Sequence, residues 1–231
     1  MSKRSDITGN EGTFLSRTSR GLIYTQELGW LDLGHARGTD IAKLLEQFRR
    51  GESGIKSYYR ISYRQTMVYK KPVFTTGRFV EWEVKRGRSC SEIASIALAI
   101  MMHTAYMFET WQTHFSWVTD SGFSAEDLVS DLLGFYSVVR PANYIGRLTI
   151  DTKEKASRRW DLYGAVGQHK NKSFLPLLYP DPDNPRGRHF PYHGQLPDWM
   201  RSVHPFTNTG SGIAKPLVKN GVSFGLFTGG A

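Results

Sequence analysis

The sequence predicts an α+β fold: a mainly helical core, an antiparallel β-hairpin beside it, and an irregular proline-rich C-terminal segment. Three observations predict this. Residues 91–118 contain neither Gly nor Pro and carry a helical apolar pattern. Residues 58–84 alternate apolar and polar side chains on either side of Lys70-Lys71-Pro72. Seven prolines, Pro176, Pro180, Pro182, Pro185, Pro191, Pro197 and Pro205, punctuate residues 175–205.

The elements follow in chain order. Residues 1–20 are polar and rich in Ser and Thr, and read as a flexible lead-in. Residues 21–231 read as a single domain, with 175–231 irregular but packed on the body. Residues 21–33 look extended and turn at Gly34. Ile41, Leu44, Leu45 and Phe48 have helical spacing; Thr39 or Asp40 caps that helix and Gly51 stops it. Two strands follow, and their pairing makes the hairpin. The glycine-free helix would run about 40 Å, with Ser89 or Ser91 at its start. Ser124-Ala125-Glu126-Asp127 resembles a capping box and opens a helix that Pro141 stops after Val139. The short link between these two helices predicts an antiparallel helix hairpin over about 91–139. Residues 152–163 read as a further helix and residues 222–227 as a short strand. In the proline-rich stretch, Phe190, Tyr192, Trp199 and Met200 are expected to hold the chain to the body.

Composition narrows the classes of function. The chain has 231 residues, a net charge of +9 and one cysteine. A single Cys90 excludes an intrachain disulfide framework. Apolar content of 39%, with 13% aromatic residues, is enough to build a core. The longest apolar run, residues 96–102, falls far short of the roughly 20 residues that span a bilayer. The opening MSKRSDITGNEG has no apolar h-region, so synthesis in the cytoplasm without a Sec signal peptide is expected, with export to the periplasm of target bacteria as one route. The charge is uneven. Residues 1–88 carry +8, residues 89–169 carry −3 and residues 170–231 carry +4, and no Lys or Arg occurs between Arg88 and Arg140. The basic segments favour an anionic polymer as partner, cell wall or nucleic acid. The carboxylates of the cation-free interval must be solvated, cap helices, or sit in a site.

Several residues can carry chemistry. In Asp32-x-x-His35-x-Arg37 a carboxylate can lie beside an imidazole, fix its tautomer and raise its pKa; the bland alternative is an Asp that caps a turn. Glu109 stands among Tyr106, Phe108, Trp111 and Phe115, and a carboxyl in apolar surroundings can act as a general acid; the alternative is an exposed stripe. Glu126 and Asp127 suit a helix N-terminus through the dipole alone. Cys90, at a helix start and downstream of His35, has the order of a permuted papain-like amidopeptidase, without the flanking motif. His103 and His114 on the long helix would be about 16 Å apart, too far to share a metal, so no metal and no cofactor is expected. The run YYRISYRQTMVYKK over 58–71 interleaves aromatic and basic residues, as polymer-binding surfaces do, although a strand with one solvated face reads the same way.

Two segments resemble an uncharacterised bacterial family, a domain of unknown function. Its members carry a motif close to G-[FL]-I-D-x-A-H-x-R, and later one close to S-x-F-S-P-E-D-x-x-S-N-x-x-G. The matching residues are Gly29, Leu31, Asp32, His35 and Arg37, then Ser121, Phe123, Ser124, Glu126, Asp127, Ser130 and Gly134. Ala105, Tyr106, Thr110 and Trp111 resemble a third stretch, but Gln112-Thr113 replaces a His-Glu pair and Ala125 replaces the proline. The likeness covers roughly residues 21–140. It implies a shared site at Asp32, His35, Glu126 and Asp127, and implies no reaction.

Together these readings favour a hydrolase of a bacterial envelope polymer, peptidoglycan first, acting as an antibacterial effector. Its catalytic residues would be Glu109, His35, Asp32 and Asp127, with Arg37, Trp111, Tyr106 and Glu126 binding substrate. Glu109 would protonate the leaving oxygen, and Asp32 or Asp127 would be the second carboxylate. An immunity or secretion-apparatus protein would be a further partner. The alternatives are the Cys90/His35 amidopeptidase, a nuclease, and a nucleic-acid or cell-wall binding module without catalysis.

Overall fold

The computed structural model describes residues 2–9, 20–68, 74–114, 124–184, 189–217 and 221–226. Within them the order is β1 (Leu22–Thr25), β2 (Gly29–Asp32), α1 (Thr39–Glu52), β3 (Tyr58–Val68), β4 (Phe74–Lys85) and α2 (Cys90–His114). There follow α3 (Asp127–Val139), α4 (Lys153–Tyr163), β5 (Leu177–Leu178), β6 (Tyr192–His193), β7 (Ala214–Pro216) and β8 (Gly221–Leu226). The fold is α+β, with four helices and two small, mainly antiparallel sheets among the described residues. No helix among the described residues is long and apolar enough to cross a membrane.

The chain divides into two compact units. One combines Met1–Thr39 with Gln112–Ser202, the other Asp40–Trp111 with Val203–Ala231. A single domain over 21–231 is the sequence expectation, and local patterning carries no sign of the division. The antiparallel pairing expected of α2 with α3 is not seen within either unit. α2 belongs to the second unit through Trp111, α3 belongs to the first, and residues 115–123 lie outside the described residues.

The first unit is built on the sheet β1-β2-β5-β6. Tyr24, Trp30, Trp160 and Tyr179 form its aromatic centre, with Ile7, Leu22, Ala156 and Val166 packed around them. The rings meet edge to face, Tyr24 on Trp30 at 5.3 Å and Trp30 on Trp160 at 6.0 Å, as ring quadrupoles favour. Ile7, inside the stretch expected to be a loose lead-in, is 1% exposed and bridges to Leu22. Through this centre runs a buried ion pair. Arg159 on α4 is fully buried, its Nη2 lies 2.7 Å from Asp151 Oδ2, and its Nη1 donates to the carbonyls of Tyr179 and Pro180. Its guanidinium also sits 4.0 Å over the Tyr24 ring. One side chain thereby ties β1, α4 and the chain after β5. α4 lies within the helix expected over 152–163, and Thr152 caps it: its hydroxyl accepts from Lys155 N.

In the second unit β3 pairs antiparallel with β4 from Tyr58↔Lys85 to Val68↔Thr75, and β7 and β8 add to β4. The connection 69–73 lies outside the described residues. α1 buries Ile41, Leu44 and Phe48, and Phe48 meets Tyr59 of β3 edge to face. The helix runs through Gly51 to Glu52 instead of stopping there. Gly51 is needed for space, because a Cβ would enter the Tyr59 ring. Ser89 and Glu92 form the reciprocal cap of α2, with Ser89 N donating to Glu92 Oε2 at 2.8 Å and Glu92 N donating to Ser89 Oγ at 3.2 Å. Glu92 also pairs with Arg88 at 2.9 Å. One carboxylate of the cation-free interval is therefore structural.

In the proline-rich segment Met200 is buried and Trp199 stacks on Tyr144 at 4.6 Å, as expected. Phe190 does not anchor it: it is 80% exposed, two residues before β6, whereas Tyr192 is 36% exposed and pairs with Leu178 of β5.

Truncating Arg159 would strand Asp151 as a buried, uncompensated charge. Arg159→Ala should lower the unfolding free energy by about 3–5 kcal/mol, read by urea denaturation, whereas the exposed Arg158→Ala should cost under about 1 kcal/mol.

Candidate functional site

Strand β2 delivers Asp32 to the end of its sheet, where the chain turns sharply through His35–Arg37. Asp32 makes that turn. Its Oδ1 accepts from Gly34 N at 2.6 Å and from His35 N at 3.4 Å, so the capping role holds, and the carboxylate stays beside the imidazole. Arg37 Nε donates back to Gly34 O at 3.1 Å.

Helix α3 supplies the other half. Asp127, Ser130, Asp131 and Gly134 fall at helical spacing and share one face. At Gly134 the helix presents bare backbone. A Cβ there would lie 2.8 Å from His35 O and 2.9 Å from Gly38 N. Gly38 itself has φ of 61°, and a side chain on it would collide with Gly134 O. Two glycines thus let the turn lie directly on the helix. Contact at that distance puts His35 against the acidic residues one turn earlier. His35 Nδ1 is 2.8 Å from Asp131 Oδ1, and Ser130 Oγ accepts from Asp32 N at 2.9 Å.

The helix start completes the group. Asp127 Oδ2 accepts from Ser124 N at 2.9 Å, one half of the expected capping box. Glu126 is 2% exposed. The Ser2 hydroxyl donates to its Oε1 at 2.8 Å, and its Oε2 has no hydrogen-bond partner among the described residues.

The electrostatics follow from this crowding. Partial burial opposes the charged form of His35, but Asp131 outweighs it through charge and hydrogen bond. Asp127 and Asp32 add to the effect, and the pKa is pushed up to about 10. Half of the ring, 48%, remains exposed, where water screens the attraction. The imidazole is therefore held as a cation at neutral pH, with Nδ1 committed to Asp131. Burial, then the charge of Asp127 and more weakly that of Asp32, raise Glu126 to about 7 against hydrogen bonds from its own backbone N–H and from Ser2. Asp127 is also pushed up by burial; the His35 cation opposes the rise and Asp131 adds to it.

A cleft of about 560 Å³ adjoins the group, lined by Asp32, Gly34 and Arg37 on one side and by Ser2, Ser5 and Thr8 on another. Among the described residues, no three His, Cys, Asp or Glu side chains are grouped to hold a metal ion.

Four expected site residues, Asp32, His35, Glu126 and Asp127, therefore come together with Arg37. Glu109, Tyr106 and Trp111 lie on α2, and their side chains fall outside the described residues. Cys90 is an exposed free thiol at the first residue of α2. His103 packs edge to face on Trp82 at 5.8 Å, and burial lowers its pKa. Sequence reasoning missed Asp131. Its spacing of four from Asp127 was the available signal, because it repeats one helical turn.

No family model matches this chain. No curated protein and no solved structure matches it either. The likeness described above therefore rests on the quoted motif residues alone.

The raised pKa of His35 has a stability consequence. Its contribution is fully present below about 6.5, the unfolded value, and is lost as pH rises through about 10. For Glu126 the folded state favours the neutral acid, so its contribution is lost earlier, as pH rises from about 4.5 through about 7. Melting temperature should fall in both windows. Glu126→Gln should flatten the lower one and His35→Gln the upper; a single unchanged slope in both variants would contradict these assignments.

Proposed function

We propose that this chain is a hydrolase whose proton transfers run through the His35–Asp131 pair, and that it acts on a bacterial envelope polymer, with peptidoglycan as the favoured substrate. The observation that carries the reading is a half-exposed imidazole whose Nδ1 lies 2.8 Å from a buried carboxylate, beside a polar cleft whose lining includes Asp32 and Gly34. Near neutral pH such a group carries the proton that a general acid must deliver, and a substrate that displaces water and draws on Asp131 would bring its pKa down toward the operating range. His35 Nε2–H donates its proton to the leaving oxygen or nitrogen as the scissile bond breaks. Asp32, on the cleft wall, holds the attacking water and takes its proton. Asp131 fixes the tautomer and stabilises the charge. His35 thus takes the proton-donating role expected of Glu109. The net charge of +9 supports an anionic polymer, and an antibacterial effector role follows as part of the same proposal.

The test is fragment release from purified sacculi, read by mass spectrometry. His35→Gln and Asp131→Asn should each cut the rate by 10²-fold or more, and Cys90→Ala should leave it unchanged. Loss of activity only in Cys90→Ala would move the chemistry to the thiol. Salt-sensitive polymer binding with no fragments would make the chain a binding module, and degradation of plasmid in place of sacculi would make it a nuclease.

A further inference from the structure

Ser2 links the cleft to the buried carboxylate behind it. It lines the cleft together with Asp32 and Arg37, and its hydroxyl donates to Glu126 Oε1 at 2.8 Å. A hydroxyl bonded to a carboxylate at that distance can lose its proton to the carboxylate as its oxygen attacks. The segment that carries Ser2 is fixed in place. Ile7 is sunk in the core, and Thr8 N donates to Leu22 O at 2.8 Å. Arg4 forms a two-pronged pair with Asp161 at 2.7 and 2.8 Å.

Glu126 has the surroundings of a base. Its Oε2 is buried with no hydrogen-bond partner among the described residues, which a carboxylate serving only to hold the segment does not explain. Asp127 and Asp32 press on it with like charge. The Tyr179 phenol is near enough to feel the Glu126 charge and is likewise buried without a hydrogen-bond partner among the described residues. Burial and like charge make the carboxyl hold a proton up to about pH 7, so its ionised form is a stronger base than a solvated carboxylate. Glu126 has no need to reach the cleft, because it acts through the hydroxyl. Arg20 and Arg37 line the same cleft and bring the positive charge that stabilises an oxyanion.

We propose that Ser2 is a nucleophile with Glu126 as its general base, and that the chain cleaves carboxylic amides or esters through an acyl-Ser2 intermediate. The inference rests on the hydrolase reading and names the bond class within it: the amides of the envelope polymer's peptide stems. As Ser2 Oγ bonds to the carbonyl carbon, its proton passes to Glu126 and the carbonyl π pair moves onto oxygen. The C=O bond then re-forms, the C–N bond breaks, and the leaving nitrogen keeps that pair and takes the proton of His35 Nε2–H. Water held by Asp32 attacks the ester and gives Asp32 its proton. The departing Ser2 oxygen recovers its own proton from Glu126, and Asp32 returns the extra one to His35.

The experiment treats the full chain with an alkyl fluorophosphonate and, separately, an alkyl β-lactone, and locates the adducts by peptide mass spectrometry. Both should mark Ser2. Ser2→Ala should abolish the adduct, and Ser5→Ala, an exposed serine of the same cleft, should leave it unchanged. Glu126→Gln should slow labelling by about 10²-fold or more and remove its rise as pH passes through about 7. Should that variant not fold, the unmodified chain decides: a labelling rate flat through that pH would overturn the proposal. So would the absence of a Ser2 adduct, equal marking of Ser5, or undiminished labelling in Glu126→Gln. Marking by the fluorophosphonate alone would overturn the acyl class. Neither probe needs the polymer, so the two readings fail separately. Ser2 labelling without fragments from sacculi removes the polymer only, and fragments without Ser2 labelling remove the nucleophile only.

Discussion

Backbone resting on backbone is the constraint from which the site follows. Where α3 passes under the turn after β2, Gly38 and Gly134 bring the two chains closer than any side chain would allow. The approach fixes the height of His35 above the helix, and so fixes which carboxylate it meets. With a wider spacing the imidazole would stand in solvent, out of reach of Asp131. The turn has its own support, since Asp32 holds it from within and Ser130 holds Asp32 from the helix. Geometry is thus set by two absent side chains and two short polar ones.

The same packing concentrates negative charge. Asp32, Asp127 and Asp131 all act on one imidazole, and Glu126 lies behind them. Such a group repels itself, and two features relieve it. His35 supplies a positive charge at the centre, and Glu126 keeps its proton toward neutral pH. The neighbourhood that the sequence marks by its lack of Lys and Arg has therefore taken its cation from residue 35, far upstream. Not all of that interval is chemical, since Glu92 is a helix cap paired with Arg88.

Much of the local structure was legible in the residues. The ends of α3, the extent of α4 and the strands β3 and β4 follow from patterning and capping, which act within a few residues. Asp32, His35, Glu126 and Asp127 were legible as candidates because their types and spacings suit acid–base work. Three things were not legible, for physical reasons. Asp131 pairs with His35 across 96 positions, and its role exists only once two glycines meet. Gly51 looks like a helix stop, yet it serves a ring that arrives from β3. Phe190 looks like an anchor, yet it is 80% exposed, because burial depends on what the fold places against a ring and not on the ring itself.

The division of the chain has a bearing on how the molecule is made. Each unit takes its residues from two separate stretches, so the chain passes between units at Thr39, Trp111 and Ser202. On a ribosome, Tyr24 is synthesised early, and its partners Arg159 and Tyr179 emerge far later. The first unit must keep an aromatic hairpin waiting while the whole of the second unit's first stretch passes by. Neither unit can be cut out as one continuous fragment. The long-range closure through Arg159 makes assembly of the first unit a late and slow event, governed by chain connectivity more than by the strength of any one contact.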